Sequence, residues 1–431
     1  MPRLSITKFN QLENIDIEIT NLIVFIGPQA SGKSTISKTV FFFKSLKNNL
    51  KDYFIDCVEK NINENVLEKL TKIIRKKISG FWGSAEYFNE IHIKYFYSND
   101  IYITIKKELA LNCFFSSNFE KKIKSLENDI AEFLSKITQQ YSTYTSSKKY
   151  LAIREEKKRF YITIEQTLAD IFSDNTDHLF IPAGRSLISM LSEQLSSVHI
   201  DKLDDLMKIY LEIVNSLKPQ FNKSLSKIIL SKETLETEKF DKKTAEHAQK
   251  IIENILKGTY ISDIDGEKLF YDTNKYVKIN FASSGQQEVL WILLMIFLLI
   301  LDEIKTLTVF EEPEAHLYPE TQKEIVDLIA LLINTADNTV IITTHSPYVL
   351  SSVNNLLYAY SLGQINKSQV SQIINERLWL NPQNTQAFFV EKGKIESIID
   401  AETGLIRTEA IDSASRIINQ TFDKLFELDN N

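Results

Sequence analysis

The sequence predicts an α/β protein: an α/β head built on a phosphate loop, an antiparallel β subdomain, and a mainly helical insertion with a short coiled-coil arm. Three observations predict it. The apolar run Leu22–Ile26 leads straight into Gly27-Pro28-Gln29-Ala30-Ser31-Gly32-Lys33-Ser34, and helical spacing continues from Ile36 to Leu50. Two later apolar runs, Leu307–Phe310 and Val340–Thr344, end on Glu311-Glu312 and on His345. Between these ends lies a long stretch of mostly helical spacing. The expected division is 1–50 for the first part of the head, 51–258 for the insertion, and 259–431 for the second part of the head.

The first element carries its own chemistry. The pattern G-x-x-x-x-G-K-[ST] lets the backbone curl at Gly27 and Gly32, so that successive N–H groups face phosphate oxygens. Lys33 neutralises the β- and γ-phosphates, the Ser34 hydroxyl suits Mg²⁺, and the helix after it points its positive end the same way. Gly27, Gln29, Ala30, Ser31, Gly32, Lys33, Ser34 and Thr35 are therefore the expected phosphate-binding set, with ATP and Mg²⁺ as ligands.

Composition narrows the rest. The chain has 431 residues, 43% hydrophobic and 25% charged, enough to bury a sizeable core in two or three lobes. A net charge of −7 argues against a surface that grips nucleic acid all round, and leaves room for a local basic groove. Cys57 and Cys113 have no metal-ligand spacing, so a reducing, cytoplasmic setting is expected. Met1–Phe9 lacks the apolar core of a signal peptide. The thirteen apolar residues 289–301 fall below the roughly 18 of a membrane span, so a buried helix and no membrane are expected.

Taken in order, Arg3–Phe9 and Asn14–Ile19 alternate as half-buried strands do, and with Leu22–Ile26 they predict three strands running into the phosphate loop. Phe9 fits either packing near an adenine or a plain core position. Phe41-Phe42-Phe43 is expected to pack against the sheet. Leu50–Ile78 reads as helical, and Ile91–Tyr97 with Ile101–Lys106 as a hairpin around Ser98-Asn99-Asp100. Phe119–Phe172 reads as two helices folded back near Thr143–Ser147. Residues 121–159 hold ten Lys/Arg against five Asp/Glu, which fits a solvated helix face or a contact with nucleic acid or a partner. Leu179–Ile181 is a short strand running to Arg185, which fits a phosphate or neighbouring-subunit contact, or a surface ion pair. Ser186–Lys257 is expected to be largely helical, and Thr259–Phe270 a hairpin turning at Asp265-Gly266.

The second constellation is Ala282-Ser283-Ser284-Gly285-Gln286-Gln287, a small-residue turn before a helix and so a second anion-receiving N-terminus. Glu311 and Glu312 are adjacent carboxylates at the carboxyl end of a strand, where α/β sheets place ligands. One suits the metal shell and the next suits orienting a water.

This set resembles an ABC-type ATPase. GPQASGKS is similar to Walker A, ASSGQ to the LSGGQ signature, VFEE to Walker B, Glu314–Leu317 to the D-loop and ITTHS to the switch-histidine strand. The spacing agrees: 29 residues separate Ser283 from Glu312, 33 separate Glu312 from His345, and 250 separate Lys33 from Ser283. The last interval resembles the branch in which an insert splits the ATPase, as in SMC, RecF and OLD-like proteins. The IPAGR, NFASSGQQE, EEPEAHLYP and THSPYVLSSVNNLLYA stretches are similar to AAA15-type ATPase subunits of bacterial phage-defence systems, PARIS- or Septu-like. Phe389–Gly393 resembles a Toprim opening, but no D-x-D comes after it, so no nuclease domain is expected here.

The resemblance implies roles residue by residue. Glu312 is the catalytic base and His345 senses the γ-phosphate. Ser34 and Glu311 hold the metal. Ser283, Ser284, Gly285 and Gln286 contact ATP held by a second subunit. It also implies a homodimer or a higher oligomer of dimers, a separate effector protein such as a nuclease encoded nearby, and a phage trigger protein. The alternative output is a RecF- or SMC-like clamp on duplex DNA. Glu311 stands where Asp is usual and Ser284 where Gly is usual. No Q-loop glutamine is assigned; Gln139, Gln140 and Gln166 are candidates, and His316 fits either a contact to the opposite site or helix packing.

Overall fold

The computed structural model describes residues 1–60, 62, 64–140, 146–186, 203–235 and 240–407. In chain order the strands are β1 (Arg3–Phe9), β2 (Leu12–Glu18), β3 (Leu22–Ile26), β4 (Ile91–Phe96), β5 (Tyr102–Lys107), β6 (Leu111–Phe115), β7 (Asp177–Ile181), β8 (Thr259–Asp263), β9 (Gly266–Asp272), β10 (Lys275–Lys278), β11 (Thr306–Glu311), β12 (Thr339–Thr344), β13 (Thr385–Glu391) and β14 (Lys394–Ser397). The α-helices are α1 (Lys33–Lys60), α2 (Val66–Trp82), α3 (Ser117–Gln140), α4 (Ser146–Phe172), α5 (Asp205–Leu217), α6 (Leu225–Leu235), α7 (Lys242–Leu256), α8 (Ser284–Leu301), α9 (Pro319–Ala336) and α10 (Pro347–Ile373). The fold class is α/β, with parallel and antiparallel sheets.

The described residues divide into two compact units. The first is Met1–Ile19, Lys38–His178 and Lys392–Lys394; the second holds Thr20–Ser37, Leu179–Glu391 and the described residues from Ile395 onward. Unit one carries a five-stranded sheet in the order β2-β1-β4-β5-β6, antiparallel throughout. Its strands alternate, with Leu4, Ile6, Ile15, Ile17, Ile93, Tyr95, Ile103 and Ile105 buried on one face. Phe9 is a core residue, 1% exposed, with its ring 5.1 Å from Trp82 and 5.5 Å from Phe88. Phe43 stacks on Tyr95 at 5.1 Å, so the aromatic run on α1 packs on the sheet as expected.

The three strands expected to run together into the phosphate loop are split: β1 and β2 pair with each other, and β3 belongs to a different sheet. Alternation in β1 and β2 serves a sheet with one wet face, whereas the unbroken burial of β3 needs cover on both faces. Strand β6 was not foreseen; its half-exposed edge pattern leaves little periodicity to read. The turn expected at Thr143–Ser147 lies mostly outside the described residues, as do 187–202 and 236–239 of the helical stretch and the residues after 407.

A buried charge network sits where α4 meets β7. Asp174 accepts from Lys44 at 2.8 Å, lies 3.0 Å from His178 Nε2, and caps the Thr176 N–H and hydroxyl at 2.9 and 2.6 Å. Burial works to raise the Asp174 pKa, but the bonds and charges of His178 and Lys44 outweigh it and hold the carboxyl well below the usual range. Burial also lowers His178, against the pull of Asp174. Both shifts have one sign: in acid the unfolded chain binds more protons than the folded one. Stability from this network is thus full above about pH 6.5, the free histidine value, and is lost as pH falls. Asp174→Asn is expected to cost about 3–5 kcal/mol at pH 7, because it breaks a buried pair. It should also flatten the acid limb of a urea-midpoint against pH curve; an unchanged limb would count against the network.

Unit two is built on a six-stranded sheet in the order β14-β13-β3-β12-β11-β7, whose four central strands are parallel. Helix α8 is apolar on nearly every side because it lies inside the core, with Val289 to Leu298 each at most 7% exposed. By length and composition alone it is long and apolar enough to cross a membrane; 78% of it is buried within the protein. Strands β8, β9 and β10 form a small antiparallel sheet just before it, one strand more than the expected hairpin.

Candidate nucleotide-binding site

Register alone gathers the expected residues. Ile26 of β3 lies beside Thr344 of β12, and Thr343 lies beside Glu311 of β11. The phosphate loop, Glu312 and His345 therefore leave the sheet at one carboxyl edge, the side on which open α/β sheets bind ligands.

In the loop, Gly27 has a φ of 154°, and a Cβ there would come within 2.1 Å of the Val390 carbonyl oxygen on β13. Only glycine allows that approach. Ala30 and Gly32 have φ of 56° and 111°, which completes the curl into α1. Lys33 is 5% exposed and donates to the Gly27 and Pro28 carbonyls at 2.9 and 2.8 Å. Burial lowers its pKa, while the carboxylates of Glu312 and Glu314 work in the opposite direction. The Ser31 hydroxyl is buried with no hydrogen-bond partner among the described residues. An orphaned hydroxyl, and a lysine held among the described residues by carbonyls of its own loop, are groups that a phosphate would satisfy, so the residues fit a nucleotide. Gln29, Ala30 and Ser34 are exposed, and Thr35 is half-buried.

Glu311 closes β11 at 5% exposure and accepts the Ala183 N–H at 3.3 Å. Glu312 comes next with a φ of 45°, its N–H bonded to Thr343 O at 2.8 Å. Its Oε1 lies 3.3 Å from His345 Nε2, and both side chains are about a third exposed, at 38% and 33%. Among the described residues no group of three or more His, Cys, Asp and Glu side chains is placed to hold a metal ion. Mg²⁺ needs no such cage: it takes oxygen donors, keeps several waters, and is bound through one or two carboxylates plus substrate phosphates. Ser34 and Glu311 offer a hydroxyl and a carboxylate of that kind.

Ser283 is the N-cap of α8 in a capping box with Gln286, whose Nε2 also donates to Leu256 O at 2.7 Å. Ser283 and Ser284 are exposed, and Phe281 before them is 76% exposed. Gly285 presses on the turn that precedes α9, since a Cβ there would meet His316 O at 2.7 Å. His316 itself is exposed with a φ of 61°. Gln139 and Gln166 are exposed on α3 and α4; the Gln140 side chain lies outside the described residues.

Sequence reasoning missed two residues and misplaced a third. Glu314 is 6% exposed; its Oε1 accepts the Thr344 hydroxyl and, at 3.1 Å, the His345 N–H. Burial pushes its carboxyl up, against those bonds. The turn after β11 is thereby tied to the end of β12. Glu288 is buried on α8, the one carboxylate in an otherwise apolar run, and that contrast was the signal to read. Arg185 is neither a surface ion pair nor a reach towards phosphate or another subunit. At 2% exposure it is paired with Glu288, because only that carboxylate and the carbonyls around it satisfy a buried guanidinium.

A strand–loop–helix with a buried lysine, and acidic and histidine strand ends at the same edge, define a P-loop ATPase. Residues 1–350 match the AAA ATPase domain family, and the chain belongs to that family. No curated protein matches it in sequence. Among solved structures it is similar to an SMC head bound to the C-winged helix domain of ScpA, with 10% identity over 93% of this chain and 97% of that one, at a TM-score of 0.39. An SMC head with an extended coiled coil, bound to the C-terminal domain of ScpA derived from Pyrococcus furiosus, has 11% identity over 98% and 100% at 0.37. The recombination mediator RecF-ATPrS has 10% identity over 92% and 97% at 0.29.

Proposed function

We propose that this chain is an ABC-type ATPase of the SMC, RecF and OLD-like branch. It closes as a homodimer around two ATP molecules and thereby holds or releases a separate effector protein in antiphage defence. Residues 1–50 and 259–431 carry the motifs of the ATPase head, and 51–258 is inserted between them in sequence. The observation that carries the reading is the Glu312–His345 pair beside the phosphate loop, together with an outward-facing Ser283–Ser284 turn. One chain supplies the base and the phosphate cradle, and its signature faces away to serve another.

Lys33 and the loop N–H groups hold the β- and γ-phosphates. Mg²⁺, held by Ser34 and Glu311, would offset phosphate charge. Glu312 orients and deprotonates the attacking water, and His345 contacts the γ-phosphate and fixes the Glu312 carboxylate. Ser283, Ser284, Gly285 and Gln286 close over the partner's ATP from the positive end of α8. The effector and its trigger rest on the motif resemblance.

A second output, clamping duplex DNA, is favoured by one surface: Lys121, Lys122, Lys124, Lys136, Arg154 and Arg159 are all exposed on α3 and α4. Tagged Glu312→Gln protein, expressed with its neighbouring genes in a native-like host and purified with ATP and Mg²⁺, separates the two. The expected result is a stoichiometric second protein that is released when ATP is removed. Nuclease-sensitive DNA without a second protein would overturn the effector reading in favour of the clamp.

A further inference from the structure

Arg185 makes more contacts than a fold support needs. Its Nη1 donates to Pro182 O and to Glu311 O, both at 2.6 Å, and its Nη2 donates to Glu312 O at 2.9 Å. Its Nε donates to Glu288 O at 3.2 Å, and Nη2 lies 3.2 Å from Glu288 Oε1. The Glu288 carboxylate in turn accepts the N–H groups of Arg185 at 3.1 Å and Ser186 at 2.7 Å. Every arm of the guanidinium is used.

We infer that the Arg185–Glu288 pair is a positioning device that ties the signature helix to the backbone of the base Glu312. The inference rests on the ATPase reading above. Glu312 has a φ of 45°, where a residue with a side chain stays only if its surroundings hold it. Three bonds do so: its N–H to Thr343 O, its carbonyl to Ala315 N–H at 3.1 Å, and the same carbonyl to Arg185. Glu288 lies one helical turn after Ser284, so docking of the Ser283–Gly285 turn on a partner's ATP moves Glu288 as part of a rigid turn. Arg185 passes that shift to the Glu311 and Glu312 carbonyls. Engagement of the signature is thereby transmitted to the aim of the base. Lysine cannot substitute, because its three donors radiate from one nitrogen and do not span carbonyls on three segments.

The test measures ATP affinity, KM, kcat and ATP-dependent dimer formation for Arg185→Lys and Glu288→Gln. The expected result is affinity and KM within about twofold of wild type and kcat lower by more than about tenfold, since small misplacements of a reacting group cost that much. ATP-bound dimers should accumulate with Glu312 intact. Unchanged kcat in both variants would overturn the inference. A parallel fall in affinity, kcat and melting temperature would do so too, because that is what mere structural support predicts. Should Arg185→Lys fail to fold, the near-isosteric Glu288→Gln decides alone. Wild-type protein without ATPase activity would instead overturn the reading on which the inference rests.

Discussion

Glu312→Gln is expected to bind ATP at least as tightly as the wild type and to hydrolyse it at least about a hundredfold more slowly, the usual worth of a positioned general base. The substitution keeps the shape of the side chain, so the backbone at φ 45° and its bond to Thr343 O are undisturbed. What it removes is the carboxylate 3.3 Å from His345, which in the proposed mechanism is the proton acceptor for the attacking water. It also removes a negative charge from the phosphate end of the site, which lowers repulsion against ATP. Binding and chemistry should therefore separate. Light scattering with Mg-ATP should show a stable dimer where wild-type protein cycles back to monomer. Equal turnover in the two proteins would sink the mechanism.

Lys33→Ala is expected to fail one step earlier, at binding. Lys33 is 5% exposed, and its ammonium is held by two loop carbonyls and lies within reach of the charges of Glu312 and Glu314. Phosphate oxygens would replace the carbonyls with charge-assisted bonds worth about 1.5–3 kcal/mol each. Losing two of them weakens ATP binding by at least about a hundredfold. The Gly27–Val390 approach that shapes the loop does not depend on the side chain, so the fold should survive. Calorimetric titration with Mg-ATP checks affinity, and circular dichroism checks folding. Affinity within a factor of three of wild type would remove the phosphate role assigned to Lys33.

Legible in the order of residues are the elements whose information is local. Strand β3 and the loop after it are legible because an unbroken apolar run, two glycines and a lysine occupy fourteen consecutive positions or fewer (21–34). The same holds for the buried helix α8, for β11 running into two glutamates, and for β12 running into His345. Each is set by neighbouring residues and by a period of about 2 or 3.6.

Which strands share a sheet emerges from the folded chain alone. β1 pairs with β4, 82 or more residues later, and β3 pairs with β12 and β13 more than 300 residues later. Pairing partners are chosen by which faces must be covered, and no local period records that. The folded chain also decides the environment of charge. Arg185 reads as a phosphate or neighbouring-subunit contact or as a surface ion pair until Glu288, 103 positions away, and the carbonyls of Glu311 and Glu312 close around it. Glu314 reads as part of a D-loop until Thr344 and His345 bond to it across 30 residues of chain. Burial turns these side chains from solvated charges into fixed connections, and burial belongs to the fold, not to any stretch of sequence.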